Sequence, residues 1–234
     1  MKDPYVYEGT NVLINKAGFK EQSSLDEFES TMTKIAIINL SMSGFKYQSV
    51  QDIFEIHKQV FEKVYDWAGQ PRTINIYKSE YVLNGLSVTY CDYKDIKDAL
   101  EDIDRRIKAV DWTTLKKKET LQRVTRFFAS IWRVHAFREG NTRTVALLLY
   151  FFLKSINFKL NNGFLSEHAK YFRNALVLAS IDEYSEYEHL EAILSDSISF
   201  KIETKNHDKR YQTIKGYDLS KYQYNYHSAE NPNK

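Results

Sequence analysis

His135-Ala136-Phe137-Arg138-Glu139-Gly140-Asn141-Thr142-Arg143 is a polar run set between two apolar stretches. Upstream, Thr113 to Val134 carries Leu121, Val124, Phe128 and Ile131 at helical spacing; downstream, Thr144 to Ile156 is apolar almost all round. A helix without a polar face belongs at the centre of a domain, so the polar run reads as a loop joining a core-facing helix to a buried central one that begins near Asn141. This predicts an all-α fold built around that pair.

Working outward, Leu25, Phe28, Met32, Ile35 and Leu40 recur at helical spacing between a candidate N-cap at Ser23-Ser24 and a stop at Gly44. Ser49 to Trp67 follows the three-and-four rule through Val50, Ile53, Phe54, His57, Phe61 and Val64, with Gly69 and Pro71 ending it. A further helix is expected over Asp95 to Val110, and two more over Ser166 to Ile181 and Glu183 to Glu203. Between Thr73 and Cys91 the period changes: Thr73-Ile74-Asn75-Ile76 and Ser87-Val88-Thr89-Tyr90 flank Asn84-Gly85, the signature of a small β-hairpin flap. Residues 1–203 are read as one domain, and 204–234, rich in Tyr but poor in aliphatics, as a polar tail or surface wrap.

Composition agrees with helices and narrows the function classes. Only 8 Gly and 3 Pro punctuate 234 residues, too few for an all-β chain that turns every dozen or so residues. The net charge of +2, from 33 basic and 31 acidic residues interspersed along the chain, gives no footprint for nucleic acid or anionic membrane. Cys91 is the only cysteine, which excludes an intrachain disulfide and a cysteine zinc cluster and suits a reducing cytoplasm. No apolar leader is evident, and the most apolar run, Val145 to Leu153, is too short to span a bilayer.

The loop holds the candidate chemistry. A helix start offers unpaired N–H groups to an anion, Gly140 allows close backbone approach, and Arg143 adds a forked cationic donor; together they describe a phosphate cradle. Glu139 is a hard oxygen ligand at its edge, suited to Mg²⁺ held jointly with substrate phosphates. His135 titrates near neutrality and is the candidate general base. Taken singly, each has an ordinary explanation: His135 as a helix cap or core side chain, Glu139 as a charge near a helix start, Arg143 as a surface ion-pair partner. The functional reading rests on their conjunction within nine positions.

At these residues the sequence resembles the Fic (filamentation induced by cAMP) family, whose loop reads His-x-Phe-x-Asp/Glu-Gly-Asn-Gly-Arg-x-x-Arg; it matches at His135, Phe137, Glu139, Gly140, Asn141 and Arg143. Gly9-Thr10-Asn11-Val12-Leu13, Phe54-Glu55-Ile56-His57 and Val64-Tyr65-Asp66-Trp67-Ala68-Gly69 extend the likeness over roughly residues 5 to 200. The resemblance implies a protein adenylyltransferase that moves AMP from ATP to a Ser, Thr or Tyr hydroxyl of a target protein. In that reading His135 is the base, Glu139 holds Mg²⁺, Asn141 contacts the α-phosphate, and Gly140 and its neighbours, Thr142 among them, offer the phosphates backbone donors. Arg143 holds the outer phosphates, and Thr73, Ile74, Asn75 and Ile76 in the flap register the target by strand addition.

Two positions depart from the family pattern. Thr142 replaces the second Gly, and Ala146 stands where a second Arg is common, removing a charge-assisted contact worth roughly 1.5–3 kcal/mol. Transfer of another nucleotide or a phosphoryl group on the same fold is therefore an alternative, as is a non-catalytic, toxin-like or scaffold binding module. Ser23 with Glu27 and Ser199 with Glu203 only weakly fit the inhibitory helix of the family, and no block of that type is expected. Expected partners are ATP and a protein target, with a separate antitoxin or self-association left open, and with neither nucleic acid nor membrane. The expected location is the cytoplasm of a bacterial-type cell, with secretion as an effector not excluded.

Overall fold

The computed structural model describes residues 3–198, so the segment 204–234, read above as a tail, lies outside the described residues, as does Glu203. Among the described residues the chain is helical and no strand forms; one isolated antiparallel bridge joins Val6 and Leu13. In order come α1 (Gln22–Met42), α2 (Asp52–Phe61), a 3-10 turn (Tyr81–Leu83), α3 (Ile96–Lys108), α4 (Lys117–Val134) and α5 (Asn141–Ser155). Then follow α6 (Asn162–Glu167), α7 (Ala169–Leu178), a second 3-10 turn (Asp182–Tyr184) and α8 (Glu188–Ile198).

The central position of α5 is as expected. It packs on α2 and α4 and buries Val145, Leu147, Leu148, Leu149, Phe151, Phe152 and Leu153. From α4, Leu121, Val124, Phe128, Ile131 and Trp132 meet it, and α7 and α8 close the far side of α4 with Leu176, Leu190, Ile193 and Leu194. Each such side chain contributes about 1.5–3 kcal/mol on leaving water, which is what holds a polar loop against this core. α4 begins where the Glu119 carboxylate accepts the Lys116 N–H at 3.1 Å. The N-terminal segment of α2 is tied to α3 through Asp104, which accepts the Val50 N–H at 2.8 Å.

Some boundaries differ from the sequence reading. α1 is capped at Glu21 rather than at the serines, and Ile35 is 52% exposed. Leu25 and Thr33 define the inward face of that helix, and Ile35 lies roughly 200° round from Thr33. α2 stops at Phe61 although Val64 and Tyr65 are buried, because the chain beyond it turns back and the Val64 carbonyl accepts the Lys16 N–H. The stretch 166–181 is broken at His168, whose backbone (φ −105, ψ 28) separates α6 from α7.

The hairpin expectation needs correction at its strands. The chain does reverse at Asn84 (φ 51) and Gly85 (φ 92), but 73–91 carries no β-ladder. Val82, Leu83 and Val88 turn inward to the core, and Ser87 Oγ takes the Lys78 N–H, so the backbone donors and apolar side chains are spent otherwise than in a strand pair.

Candidate active site

Both ends of the loop are left-handed. α4 terminates at His135 (φ 50, ψ 55), whose N–H donates to the Trp132 carbonyl at 3.0 Å, and α5 starts from Gly140 (φ 83). Gly140 is required twice: that φ suits glycine, and a Cβ there would lie 2.3 Å from Phe61 Cζ. Between these turns Asn141 closes the loop on itself. Its Oδ1 accepts the Phe137 N–H at 2.9 Å and its Nδ2 donates to the Phe137 carbonyl at 2.7 Å.

The loop sits on an aromatic floor from α2. His57 stacks on Phe137 (3.8 Å between centroids) and on Phe61 (4.5 Å), and the Arg143 guanidinium lies 4.8 Å from the Phe61 ring centre. The Gly69 N–H donates to His57 Nδ1 at 2.8 Å, so the proton is on Nε2, which donates to the Glu139 carbonyl at 3.1 Å. Burial pushes the His57 pKa down to about 3, and it stays neutral. Arg72, 2% exposed, binds from the other side: its Nε donates to the His135 carbonyl at 2.9 Å, and its other donors reach Ile74, Asn75, Cys91 and Val134. It thus caps the carbonyl end of α4 and ties both limbs of the 73–91 segment to the loop.

A cavity of about 210 Å³ opens above this floor, lined by Lys78, His135, Arg173 and the run from Glu139 to Arg143. That volume lies below the ~300 Å³ where pockets for whole drug-sized ligands begin, and suits a phosphate chain better than a whole nucleotide. The opening turn of α5 brings the N–H groups of Asn141, Thr142 and Arg143, which have no intrahelical acceptor, to its wall. The Gly140 N–H is taken by Glu139 Oε1 at 2.9 Å.

His135 is 1% exposed yet lines this cavity, and neither ring nitrogen has a hydrogen-bond partner among the described residues. Burial lowers its pKa well below the usual imidazole value; Lys78, Arg173 and Arg72 add to this and Glu139 opposes it. The ring is thus neutral, with a free lone pair. Burial alone would raise the Glu139 carboxyl, but Lys78 Nζ at 2.9 Å from Oε2, the Gly140 N–H and Arg143 hold it well below the usual carboxylate range. One ionised carboxylate beside a row of N–H groups fits a divalent cation shared with phosphates; no cluster of three or more metal-type side chains exists among the described residues.

Several expected residues sit otherwise than the sequence suggested. The Asn141 amide is spent on Phe137, leaving its backbone for a ligand. Thr142 is in ordinary right-handed backbone, and its Oγ1 accepts the Trp132 indole N–H at 3.0 Å, which turns the extra side chain towards α4. Arg143 is held by Glu29 of α1, with Thr33 Oγ1 at 3.1 Å from Nη1. Glu27 is exposed and has no part in this. Thr73, Ile74, Asn75 and Ile76 do not line the cavity: Thr73 bonds Tyr5, and Asn75 bonds Arg72, Asp92 and the Tyr93 N–H. From the same segment it is Lys78 that reaches the loop.

The loop, with the helices α2 and α4 that support it, lies within residues 47–153, which match the Fic/DOC family. The chain is 29% identical over 183 residues to the probable protein adenylyltransferase y4lH of Sinorhizobium fredii, covering 76% of this chain and 88% of that one. It is 25% identical to the protein adenylyltransferase VbhT of Bartonella schoenbuchensis, spanning 78% of this chain but only 36% of that longer protein. The type IV secretion system effector protein BepA superposes with a TM-score of 0.68 at 25% identity, over 82% of this chain and 67% of that one. No helix among the described residues is long and apolar enough to cross a membrane.

Proposed function

We propose that this chain transfers AMP from ATP to a hydroxyl of a protein target. The observation that carries the reading is a neutral imidazole, both nitrogens unpartnered, opening on the same cavity as the free N–H groups of α5. A ring nitrogen of His135 takes the proton of the attacking hydroxyl as its oxygen bonds to the α-phosphorus, and pyrophosphate leaves. The amides of Asn141, Thr142 and Arg143 receive the charge that develops on the phosphate oxygens, and the Arg143 side chain neutralises the outer phosphates. Glu139 would hold Mg²⁺, which would supply neutralisation of phosphate charge, in place of its present partner Lys78. In this reading a target segment aligns along Thr73 to Ile76, as the family resemblance implies. Action in the cytoplasm, the chain's own or that of a recipient cell after secretion, fits the single reduced cysteine.

Ala146 supports a second reading. It packs against the core and offers no cation, so the triphosphate has one fewer anchor and its orientation is less constrained. Incubation with Mg²⁺ and ATP labelled at either the α or the γ position separates the two. Protein-bound α label that disappears in His135→Ala supports AMP transfer; γ label alone means phosphoryl transfer. A protein that takes neither label, and whose His135→Ala variant acts like the parent in cells, is a binding module.

A further inference from the structure

General bases are usually aimed by a third group that hydrogen-bonds the far side of the ring. His135 has none, since both nitrogens are unpartnered among the described residues. What touches the ring is aromatic: Tyr90 lies face to face with it at 4.0 Å between centroids and 28° between planes, and Trp132 meets it edge-on at 5.2 Å and 89°. Trp132 belongs to α4 and is pinned to Thr142 through its indole N–H. Tyr90 belongs to the irregular 73–91 segment, where a ring without an anchor would wander.

The anchor is Glu80. This carboxylate is 3% exposed, and its Oε1 accepts both the Tyr90 hydroxyl at 3.2 Å and Arg173 Nη2 of α7 at 2.7 Å. A buried carboxylate is costly unless paired; here both partners lead to the cavity, Arg173 by lining it and Tyr90 by covering the imidazole. Burial, reinforced by Glu80, holds the Tyr90 phenol far above its ordinary range, so it remains a donor to that carboxylate.

We propose that Tyr90, anchored through Glu80 to Arg173, is the positioning residue that fixes the His135 imidazole between two aromatic rings in place of a hydrogen-bonding orienter. This rests on the reading of His135 as base. The Arg173–Glu80–Tyr90 chain thereby makes the aim of the ring depend on the seating of the 73–91 segment against α7.

The test uses the full chain and two readouts. In NMR spectra, the His135 ring-proton resonance, assigned by its loss in His135→Ala, is expected to lie upfield because of the Tyr90 ring current. It should move towards its free value in Tyr90→Leu and hold its place in Tyr90→Phe. In α-label transfer, Tyr90→Leu should lower kcat on the order of a hundredfold, the scale of a misplaced reacting group, with KM for ATP within about twofold of the parent, whereas Tyr90→Phe, which keeps the ring, should stay within about tenfold of the parent. Parental kcat in Tyr90→Leu, an unmoved resonance, or a matching rise in KM with loss of thermal stability would each overturn the proposal. If the parent transfers no α label while the resonance behaves as expected, AMP transfer is wrong and the placement of the ring by Tyr90 stands.

Discussion

Asn141 grips Phe137 by both backbone groups, accepting its N–H and donating to its carbonyl across four residues of chain. Phe137 is fully buried, so neither group can turn to water when the amide is removed. Each orphaned buried group costs about 1–3 kcal/mol. Asn141→Ala is therefore expected to lose about 2 kcal/mol or more in urea denaturation. A loss below about 0.5 kcal/mol would show that the bridge is not what the amide contributes.

Gly140→Ala meets two obstacles, a left-handed backbone and the Phe61 ring. The first costs about 1–2 kcal/mol and the second about 1–3 kcal/mol. Phe61→Leu placed in the same chain should recover the packing part and leave the backbone part, a coupling that a double-mutant cycle of denaturation midpoints reads directly.

Acid should weaken the fold early. His57 and His135 are buried as neutral rings with folded pKa values below the unfolded value of about 6.5. The unfolded chain then binds protons that the folded chain refuses, so stability is complete above that pH and declines below it. Each ring contributes a slope of up to about 1.4 kcal/mol per pH unit, His57 continuing down to about 3. His57→Gln should flatten the slope of stability against pH between 6 and 4, and the acid limb of the transfer rate should fall below 6.5.

A metal ion held by Glu139 would compete with Lys78, whose Nζ lies 2.9 Å from Oε2. Removing the ammonium in Lys78→Met should lower the Mn²⁺ concentration that half-saturates the ADP-bound protein, by roughly two- to tenfold for a partly exposed pair. Proton relaxation of water around Mn²⁺ reports this without turnover. Weaker Mn²⁺ binding in the variant would place Lys78 among the phosphate contacts instead.

The contrast between what was legible and what was not follows from how each feature is encoded. The loop announced itself because polar residues interrupt two apolar runs, and α5 because it lacks a polar face. Arg72, Glu80, His57 and Glu29 act across long stretches of chain, and a local pattern carries no such information. Two left a trace: His57 falls on the inward face of α2 between Ile53 and Val60, and Glu29 lies on the α1 face of Leu25 and Thr33. A polar residue at an inward helical position, asked for its partner, would have pointed to the loop. The strands of 73–91 failed because backbone groups there bond to side chains, the Thr73 N–H to Tyr5, the Lys78 N–H to Ser87 and the Ile74 carbonyl to Arg72, and β-branched composition alone does not reveal such partners.

The residue at the end of α4 holds a conformation that glycine would adopt with less strain, by about 1 kcal/mol or more. A glycine at 135 would relieve that strain but also empty the space that the buried ring fills between Tyr90 and Trp132, a loss larger than the relief. The bend is therefore held by what packs around its side chain, and the same packing turns the imidazole towards the cavity.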